Sequence, residues 1–122
     1  MIINELMGRI NYDNRRFVSV SSSDNGEVSS ATVFEYHHEG DVVWATYRGG
    51  AIVFGSLVAK VDGNDFLDMR YQHLNSAGEF MTGICQSTPE ILPDGRLRLH
   101  EAWQWTSGDF SQGESIIEEV RD

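Results

Sequence analysis

Cysteine is almost missing from this sequence: 122 residues contain only Cys85. One thiol excludes an internal disulfide and fits a reducing, cytoplasmic setting. Within an apolar-polar alternating run it reads as a small buried hydrophobe rather than a nucleophile. Proline is scarce as well, and both prolines, Pro89 and Pro93, fall in "TPEILPDG" (88–95), which therefore reads as a loop ending in a Pro-Asp-Gly turn. Basic residues are few: 9 Lys and Arg stand against 19 Asp and Glu, a formal charge of −10. Such a field repels phosphate backbones and anionic lipid, so neither nucleic acid nor a membrane surface is an expected partner.

Long apolar runs are lacking too. No stretch approaches the ~18 consecutive apolar residues of a membrane-spanning helix. The opening "MIINELMGRINY" has no basic start leading into an apolar segment and a cleavage site, so no secretory signal is expected. Motifs for bound groups are missing: there is no HxH, HExxH or CxxC spacing, no P-loop, no GxGxxG and no GxSxG. His37 and His38 are neighbours in one strand pattern and point to opposite faces, so they cannot share a metal. The expectation is no metal and no cofactor.

What the chain does have is alternation. With 40% hydrophobic residues, 11% of the chain aromatic, and a single-domain length, it can bury one modest core spanning 1–122. Short runs of period two are separated by turn signals throughout. The strands read as 8–12, 15–20, 31–38, 41–48, 51–61, 66–74, 79–87, 96–106 and 114–120, with "SSSDNGEVSS" (21–30) as an exposed loop. Gly49-Gly50 suits a two-residue hairpin, and "NSAG" suits a type I turn with a bulge. Only "IINELMGRI" and "GESIIEEVRD" admit a helical alternative. Eight or nine strands with short connections and strand twist predict an all-β, antiparallel up-and-down meander curled into a small barrel, lipocalin-like or streptavidin-like in architecture. A two-layer sandwich is the alternative. Gly55 and Gly83 are curvature points that Trp44 and Tyr71, respectively, would cover across the strand pair.

Within "RLRLHEAWQW" (96–105) one face carries Leu97, Leu99, Glu101, Trp103 and Trp105. That face is the predicted interior, which it shares with Met69, Tyr71 and His73 and with Met81, Gly83 and Cys85. Glu101 is then a carboxylate in an apolar lumen, costly unless protonated, solvated or paired. Either it bonds a closing loop, or it marks where a ligand is oriented. The candidate ligand-binding set is Glu101, Trp103, Trp105, Tyr71, His73, Trp44 and Met81. "SGDFSQGES" after the tryptophans reads as a lid over a barrel mouth or as a wide hairpin loop. Glu35 and His37 share a face near Trp44. Carboxylate pairs for acid-base chemistry would have to come from Glu35, Glu79 and Glu101.

The stretches "NYDNRRF" and "DMRYQHLNSAGEFMTGICQSTPEILPDGRLRLHEAWQWTSGDFSQGESIIEE" resemble a family of small, uncharacterised bacterial proteins often labelled automatically as N-acetylglutamate synthase. The resemblance spans nearly the whole chain and implies a bacterial, cytoplasmic single domain. Its label implies an amino-acid N-acetyltransferase, for which the chain offers no Q/R-x-x-G-x-G/A loop at a helix start. Three functions follow from the residues and the resemblance. The first is a module binding a small, partly apolar ligand, the second a filled barrel acting as an interaction protein or homodimer, and the third an enzyme.

Overall fold

The computed structural model describes residues 10–121. Eight strands succeed one another: β1 (Arg15–Ser22), β2 (Val33–Glu39), β3 (Val42–Gly49), β4 (Ile52–Val61), β5 (Leu67–Asn75), β6 (Phe80–Ile91), β7 (Leu97–Trp105) and β8 (Gln112–Val120). Each pairs antiparallel with the next, and β8 returns to pair with β1. The sheet is thus a closed barrel. Closure removes the edges that a sandwich would leave exposed, so the meander expectation holds and the two-layer alternative does not. An eight-stranded barrel has an interior just wide enough for side chains or one small ligand.

Several local expectations change. The final segment is strand β8, as the 114–120 alternation indicates, so its helical alternative falls away. Residues 10–12 are not strand, and the rest of the 8–12 strand and nearly all of the "IINELMGRI" helix alternative lie outside the described residues. Strand β6 runs on through Pro89 to Ile91, where a loop was expected. Its β5 partner ends at Leu67 opposite Ser87, so beyond that point only β7 flanks it, with Pro89 opposite Leu99. A proline is tolerated where one side of a strand has no ladder to supply.

The β3–β4 hairpin turns one residue later than the sequence indicates, at Gly50-Ala51, and Gly49 pairs with Ile52. A bulge between Tyr47 and Gly49 adds a further slip, so Tyr47, not Trp44, faces Gly55. The "NSAG" turn is as expected: Gly78 has φ 80° and its N–H donates to the Asn75 carbonyl. Gly83 lies opposite Tyr71, also as expected.

One end of the barrel is packed solid. Tyr12, Phe17, Tyr36, Val43, Leu67, Leu97, Leu99 and Ile117 are all essentially inaccessible. Residues 10–12 cross that end as a plug. Tyr12 Oη donates to the Asp65 carbonyl, Ile10 N–H donates to Asp65 Oδ1, and Tyr12 N–H donates to His38 Nδ1. Beside the plug, Glu119 is taken up by Arg15 Nη1 at 2.7 Å and by the Leu97 N–H at 3.0 Å. An inward carboxylate is therefore fully compensated at the closed end.

Candidate functional site

The interior row of β7 runs from the closed end outward as Leu97, Leu99, Glu101, Trp103 and Trp105. The first two are buried in the packed core. From Glu101 onward the row lines a cavity, together with Phe34, Tyr47, Leu57, Met69, Tyr71, His73, Cys85 and Ser115. Glu101 thus stands at the boundary between filled and hollow barrel. The cavity is half open, and the volume that the centre of a water molecule can occupy is about 50 Å³. That is room for roughly three to five waters or a compact organic group.

Glycine makes this space. Tyr47, Tyr71 and Trp103 each lie flat across a glycine on the neighbouring strand: Gly55, Gly83 and Gly113. A Cβ on those glycines would come within 2.4, 2.2 and 2.3 Å of the respective ring. Without a side chain underneath, each ring drops against the wall instead of projecting across the lumen. The rings then meet: Tyr71 and Trp105 at 5.9 Å and His73 and Trp105 at 5.8 Å edge to face, and Trp103 and Trp105 tilted at 5.4 Å between centroids. These are favourable aromatic spacings.

Residues Gly26, Glu27 and Val28 of the β1–β2 loop close part of the mouth. The loop is stapled across the barrel. Trp105 Nε1–H donates to the Asn25 carbonyl at 3.0 Å, Asn25 Nδ2 donates to Ser111 Oγ and to the Gln112 carbonyl, and Ser23 exchanges bonds with Glu114. Glu27 reaches inward, where His73 Nε2–H donates to its Oε1 at 2.8 Å. That bond leaves His73 Nδ1 to accept from the Tyr47 hydroxyl at 2.9 Å. Asn75 Nδ2 donates to the same carboxylate. The covering loop is therefore the segment read from sequence as merely exposed. The "SGDFSQG" segment, in which Gly108 and Phe110 adopt positive φ, forms the β7–β8 hairpin loop and supplies Ser111 as an anchor.

Deeper in, Glu101 is poorly served. Ser115 Oγ donates to its Oε1 at a long 3.5 Å. Ser87, opposite it on β6, turns its hydroxyl to the same carboxyl, and Tyr36 carries a buried hydroxyl with no hydrogen-bond partner among the described residues. Burial pushes the Glu101 pKa up to about 7, with the Ser87 and Ser115 hydroxyls opposing the shift. Burial, and then the nearby Glu101 carboxyl, push the Cys85 thiol up, so it stays protonated and unreactive. Tyr36, Tyr47 and Tyr71 are likewise pushed up, chiefly by burial, and remain neutral phenols.

Of the residues singled out from sequence, Glu101, Trp103, Trp105, Tyr71 and His73 come together in this cavity. Met81 faces inward but sits at the rim, against Ser107 and Gly108. Trp44 is a correction. It pairs with Val58 on the outer surface, is 41% exposed, and stacks on His37 at 5.6 Å. The shifted β3–β4 turn and its bulge put Tyr47 in the place expected for it. Glu27, Tyr47 and Phe34 were missed by sequence reasoning. Val28, the one large apolar residue in "SSSDNGEVSS", was the available sign that part of that loop is covered. Among the described residues no group of His, Cys, Asp and Glu is placed to hold a metal ion.

No curated protein and no solved structure matches the chain. Residues 10–120 match the family described as avidin-like protein, a match that lends no support to the N-acetylglutamate synthase label. With its closed eight-stranded barrel and family match over nearly its whole length, the chain belongs to the avidin-like family.

Proposed function

We propose that this protein binds a compact, partly apolar small molecule in the open half of its barrel, beneath the β1–β2 loop. One observation carries the reading: an under-compensated carboxyl, Glu101, at the floor of a half-open cavity walled by Tyr71, Trp103 and Trp105. Apolar walls with a few convergent polar groups are how small-molecule sites are built. Membership of the avidin-like family supports ligand binding as the role. Glu101 would orient the ligand, the indoles would supply apolar contact, and the latch from Glu27 to His73 would hold the loop over it.

A thermal-shift panel of small polar and apolar compounds, biotin included, tests the reading. At least one compound is expected to raise the wild-type Tm by several degrees, and to raise it by less than half as much in Glu101→Gln and in Trp105→Phe. If no compound moves the wild type, or if both variants respond as the wild type does, the proposal is wrong.

An enzymatic role draws nothing from this geometry. The thiol is held protonated, and no helix occurs among the described residues to receive a coenzyme pyrophosphate. Incubation with acetyl-CoA and glutamate is expected to yield no N-acetylglutamate above the blank.

A further inference from the structure

We propose that the ligand class is a small organic cation, an ammonium, amidinium or guanidinium group of few heavy atoms, whose charge is received by Glu101 while its apolar flank lies against Tyr71, Trp103 and Trp105. This inference rests on the ligand-binding reading above and narrows it.

Charge is the first ground. Among the described residues the cavity lining includes two carboxylates, Glu27 and Glu101, and no Lys or Arg. Glu27 is already served by His73 and Asn75. Glu101 has a long bond from Ser115, the Ser87 hydroxyl beside it and, among the described residues, no countercharge. The contrast with Glu119, equally inward on β8 but paired with Arg15, shows what this fold does when an inward carboxylate has only a structural role. A carboxylate buried without its partner is among the costlier arrangements a core can hold, and a cationic ligand offsets that cost. Among the described residues an anionic ligand would meet two carboxylates and no Lys or Arg.

Hydrogen-bonding capacity is the second ground. Ser87 Oγ lies beside the carboxyl, and Tyr36 Oη, close enough to feel its charge, is buried with no hydrogen-bond partner among the described residues. Of the groups lining the cavity, Glu101 and Ser115 offer acceptor lone pairs to a multi-donor N–H group. Rings are the third ground. Tyr47, Tyr71, Trp103 and Trp105 surround the space above Glu101. A cation within about 6 Å of such faces gains further attraction.

Binding is then linked to protonation of Glu101. The titratable groups around it are Tyr36 on β2, Tyr47 on β3, Tyr71 and His73 on β5, Cys85 on β6 and Glu27 on the loop; Glu119 of β8 is engaged with Arg15 at the far end. The tyrosines and the thiol stay neutral across the physiological range. Glu101 itself, with its pKa near 7, is neutral below that pH and receptive above it.

The test is calorimetry at matched ionic strength with ethylammonium and guanidinium, set against propionamide as the neutral probe and propionate as the anion. A cation is expected to bind at least tenfold tighter than propionamide, with propionate silent. Its affinity is expected to fall about 100-fold from pH 8.5 to pH 5, as titration of a group near pH 7 requires. Glu101→Gln should lose at least tenfold affinity and the pH dependence with it. Should that variant not fold, carbon-13 NMR of the wild-type Glu101 carboxyl is decisive. Its titration midpoint should drop by at least one unit when a cation saturates the site, and an unmoved midpoint overturns the inference. Propionamide binding as tightly as either cation, at a pH-independent affinity, overturns the cationic class and leaves ligand binding standing. Silence from all four probes overturns the inference too, and if the thermal-shift panel is also silent the proposed function falls with it.

Discussion

Leu99 and Trp103 lie on the same strand and the same face, one on each side of Glu101, yet they inhabit different kinds of interior. Around Leu99 the barrel is filled by Tyr12, Phe17, Tyr36, Val43 and Ile117, with Tyr12 bonded to Asp65 as a cap. Around Trp103 the rings are spread on glycines, and a loop rather than a side-chain plug covers the mouth. The inward carboxylates repeat the contrast, since Glu119 is paired and Glu101 is not. Stability is concentrated at the end where the inward carboxylate has its partner. Capacity for a ligand lies at the end where, among the described residues, Glu101 has no countercharge.

Substitutions at the two ends should therefore behave differently. The largest effect is expected at the plug. Tyr12→Ala removes a fully buried ring and its bond to Asp65, and should cost about 3–5 kcal/mol in urea unfolding. A loss under 1 kcal/mol would break the division into a structural end and a functional one.

Next comes Glu101→Gln, with the opposite sign. The folded-state pKa lies above the ordinary value, 4.5 rising to about 7, so the carboxylate form disfavours the fold. The penalty is nil below pH 4.5, grows as pH rises, and is complete above pH 7, where it amounts to about 3 kcal/mol. The variant should be more stable than wild type at pH 8 by an amount of that order and no more stable at pH 4. Equal gains at both pH values would show that the carboxyl is not the strained group.

Smaller still is Gly83→Ala. Its Cβ would fall 2.2 Å from the Tyr71 ring, which must swing into the lumen. A destabilisation of about 1–3 kcal/mol is expected by unfolding. Any ligand that stabilises wild type should lose most of its thermal shift. The smallest effect belongs to Trp44→Ala on the outer wall, within about 1 kcal/mol and without influence on binding. A binding loss there would return Trp44 to the site.

Much of this arrangement was legible in the residues. Strict period two in 97–105 placed Glu101 between leucines and tryptophans on one inner face, and the "NSAG" turn fixed Tyr71 and His73 opposite Gly83 and Met81. Alternation and a well-marked turn determine which way each side chain points. Trp44 shows where that logic stops. A turn displaced by one residue and a bulge between Tyr47 and Gly49 shift the β3–β4 register, and a bulge leaves no mark in a hydrophobic pattern. The idea that a ring covers Gly55 was sound; the ring is Tyr47. Glu27 was illegible for another reason. Loop residues have no period, and its partner His73 lies 46 positions away.

The anchors of the β1–β2 loop also decide when the pocket comes into being as the chain folds. They lie on β5, β7 and the start of β8, separated from the loop by up to 91 residues. Contacts so distant along the chain form late, after the costly closure of long segments. A nascent or shortened chain lacking its final strand therefore lacks Ser115 from the lining and the Glu114 anchor of the loop, with the barrel still open between β7 and β1. Recognition of a small molecule becomes a property that only the completed ring possesses, and ligand uptake can report that the last seam, between β8 and β1, has closed.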